Sequence, residues 1–337
     1  MKKNNLISLP LINAHTHAAM VAFRGQAEDL PLQVWLKKHI WPAEAKHVNP
    51  KFIYKHAKKA IKEMKKNGIA AFCDMYFFED EVARAARELK MKVVIGEVIL
   101  DFPTASYKNT EEAFAIVERQ LKKYKNDKYV KVAVAPHSIY AVSKENLVKA
   151  KKLAKKYNAP IHIHLAETKF EFNECKKKNK CTPVEYLDKL GILNNKAILA
   201  HCVWLTDKDI KILAERKSNI VHCPLSNLKL GSGIAPTAKM IEKGVNVCLG
   251  TDGAASSNRL DIWEAGKFAA LLQKGANNNP THIPAKKAME MMTINGLRAL
   301  GIKKIGGKLP KDIKKNINNT RDFSSIYHLN VNNINFK

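Results

Sequence analysis

The chain of 337 residues carries 58 Lys+Arg against 31 Asp+Glu, a net charge of +27, with 46% apolar residues, 15 glycines and 13 prolines. That composition excludes disordered and collagen-like chains, and the length allows one large α/β domain or two ordinary ones. No apolar run approaches the ~20 residues of a membrane span, and the start Met1–Asn5 has no signal-peptide character, so the expectation is a cytoplasmic protein with no membrane partner.

The charge raises nucleic-acid binding, since a basic surface is the footprint of phosphate recognition. The lysines are dispersed, however, over stretches such as 58–66 and 149–156, where they fall on one side of helical patterns. Such runs are ordinarily solvated faces, and no nucleic-acid-binding motif accompanies them. The six cysteines (Cys73, Cys175, Cys181, Cys202, Cys223, Cys248) form no CxxC pair and read as reduced, buried small residues.

Along the chain, short β-branched runs alternate with amphipathic stretches. Strands are predicted at Ile7–His15, Ile69–Tyr76, Lys92–Leu100, Tyr129–Pro136, Pro160–Ala166, Ala197–Val203, Asn219–Cys223 and Val245–Thr251. Helices are predicted between them at Pro50–Asn67, Glu79–Lys90, Thr110–Lys125, Ser143–Tyr157, Pro183–Leu190, Asp207–Ala214 and Ala235–Lys243, then at Asp261–Lys274 and Pro284–Leu300. Ser143 and Thr206 are placed as N-caps, Gly68 and Gly244 as C-cap glycines. Eight apolar strands, each followed by a helix, is the count of a (β/α)8 TIM barrel, and strands buried on both faces suit a parallel sheet. A doubly wound sheet is the alternative, but the Gly-rich phosphate turn it needs after the first strand is missing. Residues 302–337 contain seven asparagines and eight basic residues against two acidic ones, without a clear period, and read as a poorly ordered tail.

In such a barrel, polar residues at strand carboxyl ends are the candidates for chemistry. They are Asn13-Ala-His15-Thr-His17, His137-Ser138, His162-Ile-His164-Leu-Ala-Glu167, His201 and Asp252. His15 and His17 are two apart, so on a strand both imidazoles face the same side and can share one metal ion; a lone HxH pair also arises by chance. Three His and one Asp from the first, fifth and eighth strands would leave a coordination position open, as catalytic zinc sites require. His164 lies nearer the carboxyl end than His162, which reads as core or as a support behind the ligands. Glu167 can reach metal-bound water, or else is a carboxylate favoured by a helix dipole. His222 reads as structural.

These residues, with Ser226-Asn227-Leu-Lys-Leu-Gly231 and Gly250-Thr-Asp252-Gly-Ala-Ala-Ser, resemble the mononuclear amidohydrolase superfamily. Within it they are most similar to the methylthioadenosine/S-adenosylhomocysteine deaminases and the related chlorohydrolases, from about Pro10 to Gly301. The resemblance implies that His15, His17, His164 and Asp252 bind one divalent metal, Zn2+ first, with Fe2+ or Ni2+ also accepted by such ligands. It implies that Glu167 shuttles protons, that His201 and Asp252 position the attacking water, that Glu44 binds ribose hydroxyls and that His137 contacts the purine. The carboxylated lysine that bridges a second metal in other members has no counterpart at Ala135-Pro-His137.

Two departures qualify the resemblance. The loop 101–107 lacks the arginines suited to an amino-acid carboxylate, and Gly96-Glu97-Val with Asp101-Phe-Pro103 is similar to the branch that deaminates 6-amino-6-deoxyfutalosine on the futalosine route to menaquinone. That nucleoside is therefore expected first, methylthioadenosine and adenosine next. The small β-sandwich domain of the relatives is expected to be largely missing, leaving a residual segment 1–9, a barrel at 10–301 and the atypical tail 302–337. Relatives form dimers or tetramers, so a homo-oligomer is possible. A chlorohydrolase or a pyrimidine or triazine deaminase is the neighbouring reading, against which Glu44 speaks for a ribose. A basic nucleic-acid-binding protein and an inactive truncated fragment are the readings of other classes.

Overall fold

The computed structural model describes residues 10–303 and residue 305. The expected segment 1–9, and the tail apart from residues 302, 303 and 305, lie outside the described residues. Ten strand pieces, all paired in parallel, build the barrel: β1 (Leu11–Thr16), β2 (Ile69–Asp74), β3 (Lys92–Ile95), β4 (Val98–Ile99), β5 (Val130–Val132), β6 (Ala135–Pro136), β7 (His162–Leu165), β8 (Ile198–His201), β9 (Asn219–His222) and β10 (Asn246–Leu249). They form two arcs, β1-β2-β3-β5 and β7-β8-β9-β10, with β4 and β6 paired beyond the first. Backbone bonds close the seams: His162 N and His164 N donate to Val134 O and His137 O (both 3.0 Å), and Asp252 N donates to His15 O (3.0 Å).

The expected eight strands are thus present, but two are broken. Lys92–Leu100 becomes β3 and β4, and Tyr129–Pro136 becomes β5 and β6. The first break falls at Gly96-Glu97, where the Glu97 carboxylate accepts from the amides of Phe78 (2.9 Å) and Glu79 (2.8 Å) and so ties the backbone to the start of the helix Glu79–Glu88.

The predicted helices are found with ends shifted by a few residues, and Ser143 and Thr206 cap as expected. Pro284–Leu300 is two helices, Ala285–Met292 and Ile294–Ala299, parted at Thr293, whose hydroxyl donates back to Met289 O. The helix Lys169–Asn179 was not anticipated, nor were the helical turns at Ala18–Phe23 and from Leu32 to His47 that wall the barrel mouth. Small side chains such as Ala14, Ala71, Ala133 and Cys248 fill the barrel interior, and Ala299, Leu300 and Ile302 close its floor. All six cysteines are buried and unpaired, as expected. No helix among the described residues is long and apolar enough to cross a membrane.

Where β1 meets β10 the chain passes through Gly250, and a β-carbon there would lie 2.8 Å from His15 O and 2.9 Å from His15 Cβ. Neither neighbour is a flexible tip, so Gly250→Ala is expected to lower stability by about 1–3 kcal/mol, read as a fall in the denaturant midpoint at unchanged slope.

Candidate active site

The strand ends converge as the residue pattern predicted. His15, His17 and Asp252 offer donor atoms within 4.8 Å of one another, as do His15, His164 and His201. Asp252 Oδ1 lies 3.1 Å from His17 Nε2 and 3.3 Å from His15 Nε2, and His164 Nε2 lies 3.4 Å from His17 Nε2. All these groups are buried or nearly so, with His17 the most accessible.

The outer nitrogens are already committed. His17 Nδ1 donates to Met75 O, and His164 Nδ1 donates to His137 O (2.9 Å). His15 Nδ1 meets His162 Nε2 at 2.9 Å, and His162 Nδ1 meets Cys73 Sγ at 3.3 Å. His162, read from the sequence as core or support, therefore stands directly behind a ligand. With every Nδ1 occupied, the Nε2 atoms of His15, His17 and His164 are turned inward toward Asp252 and one another. Asp252 Oδ2 accepts from Ser226 (2.6 Å) and Ser256 (2.8 Å), which leaves Oδ1 to face the imidazoles.

Whether this cluster suits a cation is answered by its unmet polarity. His15 Nε2 and Asp252 Oδ1 are buried 3.3 Å apart with no hydrogen bond of good geometry to satisfy them, an arrangement that costs free energy unless a ligand meets both. Burial holds the pKa of His15 down to about 4 and that of His164 well below the usual range, so both are neutral donors. Burial also works against charge on His17, but the adjacent Asp252 carboxylate outweighs it and lifts His17 to about 9. His17 and Asp252 thus form an ion pair, and a divalent cation held by these residues would take the place of that proton. The donor set fits.

Around this point lies a cavity. It is lined on one side by Leu32, Trp35, Leu36 and Trp41, and on the other by His137, Glu167 and His201. His201 Nδ1 donates to Asn227 Oδ1 (2.8 Å), which directs its Nε2 toward Glu167 Oε2 at 3.8 Å. Burial raises the Glu167 pKa, opposed by the neighbouring His201 imidazole. Glu44, also in the cavity wall, accepts from the Tyr76 hydroxyl (2.6 Å), and burial pushes its pKa up to about 7. Burial lowers His137 to about 3, so it too is neutral.

Every predicted site residue is therefore at one location. Three contributors were missed. Tyr76 holds Glu44, Asp74 accepts from the amide of Ala18 just after His17 (2.7 Å), and Glu171 binds the backbone at Glu167. Tyr76 and Asp74 stand at the carboxyl end of the second strand, so the strand-end rule itself points to them.

A (β/α)8 barrel that gathers His15, His17, His164 and Asp252, donors able to hold a cation, at its C-terminal face is the class that fold and site define. Residues 7–309 match the amidohydrolase family, and the chain belongs to it. It is 51% identical over 298 residues to a 5-methylthioadenosine/S-adenosylhomocysteine deaminase of Thermodesulfovibrio yellowstonii, covering 88% of this chain and 68% of that protein. It is 44% identical over 299 residues to a 5'-deoxyadenosine deaminase of Methanothrix thermoacetophila, covering 88% and 70%. The crystal structure of an adenosine deaminase from Xanthomonas campestris with bound zinc superposes with a TM-score of 0.87 at 38% identity, over 89% of this chain and 69% of that one.

Because His162 fixes which nitrogen His15 presents, His162→Phe is expected to weaken metal binding about 10–100-fold, measured by competition with a chromophoric chelator. Unchanged affinity would count against the support role.

Proposed function

We propose that the protein is a hydrolytic deaminase that replaces the 6-amino group of an adenine nucleoside with oxygen. The observation that carries the reading is Glu167, buried 3.8 Å from His201 Nε2 in a cavity it shares with the cation-binding donors. His15, His17, His164 and Asp252 would hold a divalent ion, Zn2+ first, which when bound would supply Lewis acidity and bring the pKa of water toward ~7.

The chain's own groups divide the remaining work. Water adds to C6 as the ring nitrogen beside it gains a proton; later the C6–N bond breaks and ammonia leaves. Glu167 takes a proton from the water and gives it to the ring nitrogen, then carries the proton of the new C6 hydroxyl to the amine, so that the C6 carbonyl forms as ammonia departs. His201, its Nδ1 bound to Asn227, holds the water on the face presented to C6, with Asp252 on the other side. Glu44, kept in place by Tyr76, accepts from the ribose hydroxyls, and neutral His137 meets the purine. Deaminase names among the relatives support the reaction class, and Glu44 supports a ribose over a bare triazine.

For the 5' end, the cavity wall favours an uncharged group. Its lining includes the carboxylates Glu44, Glu167 and Asp252 and no lysine or arginine among the described residues, so a carboxylate tail finds no cationic partner. The Glu97 of the aminodeoxyfutalosine-like signature is buried against the Phe78 and Glu79 amides and does not line the cavity, so it carries no substrate preference by contact. 6-Amino-6-deoxyfutalosine, whose 5' extension ends in a benzoate, is disfavoured by the same lack of a cationic partner and ranks behind methylthioadenosine, 5'-deoxyadenosine and adenosine.

Glu167→Gln is expected to retain one equivalent of metal by elemental analysis while kcat for ammonia release falls at least about 10²-fold. Turnover close to wild type would refute the proton-shuttle role. Across a nucleoside panel, kcat/KM for methylthioadenosine or 5'-deoxyadenosine is expected to exceed that for S-adenosylhomocysteine by roughly 10-fold or more, the worth of one missing charge-assisted bond. The reverse order would overturn the uncharged-tail assignment.

A further inference from the structure

The sequence S/T-x-x-E/D at a helix start ordinarily makes a capping box: the hydroxyl accepts from the third helical amide and the acid reaches back to the amide of the capping residue itself. This chain contains the pattern three times beside its barrel. At Thr182-Pro-Val-Glu185 the acid accepts from the Thr182 amide (2.9 Å), and at Thr206-Asp-Lys-Asp209 it accepts from the Thr206 amide (2.8 Å). At Thr168-Lys-Phe-Glu171 the hydroxyl half is intact, with Glu171 N donating to Thr168 Oγ1 at 3.1 Å. The carboxylate, however, goes elsewhere. Glu171 Oε1 accepts from Ala166 N (3.0 Å) and Oε2 from Glu167 N (2.9 Å).

That diversion depends on the turn it binds. Ala166 has φ +50, a left-handed conformation that an alanine adopts rarely, and such a residue lets successive amides converge on one anion. The turn is held from behind as well, because Ala166 O accepts from Val203 N (3.0 Å) and Trp204 N (2.9 Å), two and three residues after His201. Glu171 is only 2% exposed, so its carboxylate serves this turn and no solvent.

We propose that Glu171 is a positioning residue: by gripping the amides of Ala166 and Glu167 it sets the direction in which the Glu167 carboxylate faces His201 and the substrate. The inference rests on the reading of Glu167 as proton carrier. Glu171 is not among the cation donors and does not itself line the cavity, which it meets only through the backbone of Glu167, so its loss acts on turnover through Glu167 and leaves binding intact.

The test compares wild type, Glu171→Gln and the control Glu174→Gln, whose side chain lies on the same helix and pairs with Lys178. In Glu171→Gln the isosteric amide keeps one acceptor and turns an N–H donor toward a backbone N–H. The expected result, on whichever adenine nucleoside wild type deaminates fastest, is a kcat reduced about 10-fold or more with KM within about 3-fold and metal content unchanged. Glu174→Gln is expected to behave as wild type. Hydrogen exchange of wild type supplies a measurement that needs no variant to fold: the amides of Ala166 and Glu167 should be strongly protected. Wild-type kcat in Glu171→Gln, a parallel loss of metal, or fast exchange at those two amides would overturn the proposal while the deaminase reading stands. Failure of metal-loaded wild type to release ammonia from any adenine nucleoside would overturn that reading, and this one with it.

Discussion

Asp252 bears a negative charge inside a barrel that otherwise excludes water, and the rest of the site follows from how that charge is met. One oxygen is satisfied by the hydroxyls of Ser226 and Ser256, while the other is left facing His15 and His17. Burial opposes the ionised form, yet the two imidazoles hold the carboxyl well below its ordinary range. Such a group is stable only if positive charge stays beside it. A proton on His17 meets that need at the cost of a ligand, whereas a divalent cation meets it and satisfies the unpartnered Nε2 of His15 as well.

That demand propagates outward as a set of fixed orientations. Each imidazole can turn its Nε2 inward only if its Nδ1 has somewhere to go, and the chain provides Met75 O, His137 O, His162 and, for His201, Asn227. Two of these partners are backbone carbonyls at strand ends, so the barrel's own register places them. The other two are side chains, and each is itself held: His162 by Cys73, and Asn227 by its place in the helix Pro224–Lys229. The polar network is thus continuous from the donors to the barrel wall.

How much of this was legible follows from which parts are periodic. A parallel barrel brings every strand's carboxyl end to one face, so His15, His17, His164, His201 and Asp252 could be gathered from strand positions alone, and the period of two separated His164 from His162 by depth. The helix Lys169–Asn179 was not legible because Lys-Phe-Glu-Phe-Asn-Glu-Cys-Lys-Lys-Lys-Asn lacks a sustained apolar face; its Thr168 cap and three basic residues in the last turn support it instead. Tyr76 was passed over because a tyrosine ending an apolar strand has the composition of a core residue, and its hydroxyl partner, Glu44, lies 32 positions away. The split strands escaped for a similar reason. Glu97 pulls the backbone toward amides 18 and 19 residues away, and no local pattern encodes such a contact.

The distribution of charge decides between the readings that composition left open. Many of the lysines and arginines lie on outer helices, where pairs such as Lys123–Asp80 (2.7 Å), Lys156–Glu118 (2.7 Å), Lys208–Glu185 (2.6 Å) and Arg216–Asp188 (2.6 Å) join neighbouring helices. Exposed pairs of this kind contribute roughly 0–1 kcal/mol each and tie up many of the described cations within the outer helices. Inside the cavity the balance is reversed. Its lining holds three carboxylates and imidazoles of which His137 and His164 are kept neutral, with no lysine or arginine among the described residues. A polyanion entering there would meet negative charge, and even one carboxylate on a small ligand would lack a partner. The cation that Asp252 calls for would then be the main positive charge available to the reacting atoms, so the proposed neutral nucleoside and a bound metal ion would be two halves of one electrostatic requirement.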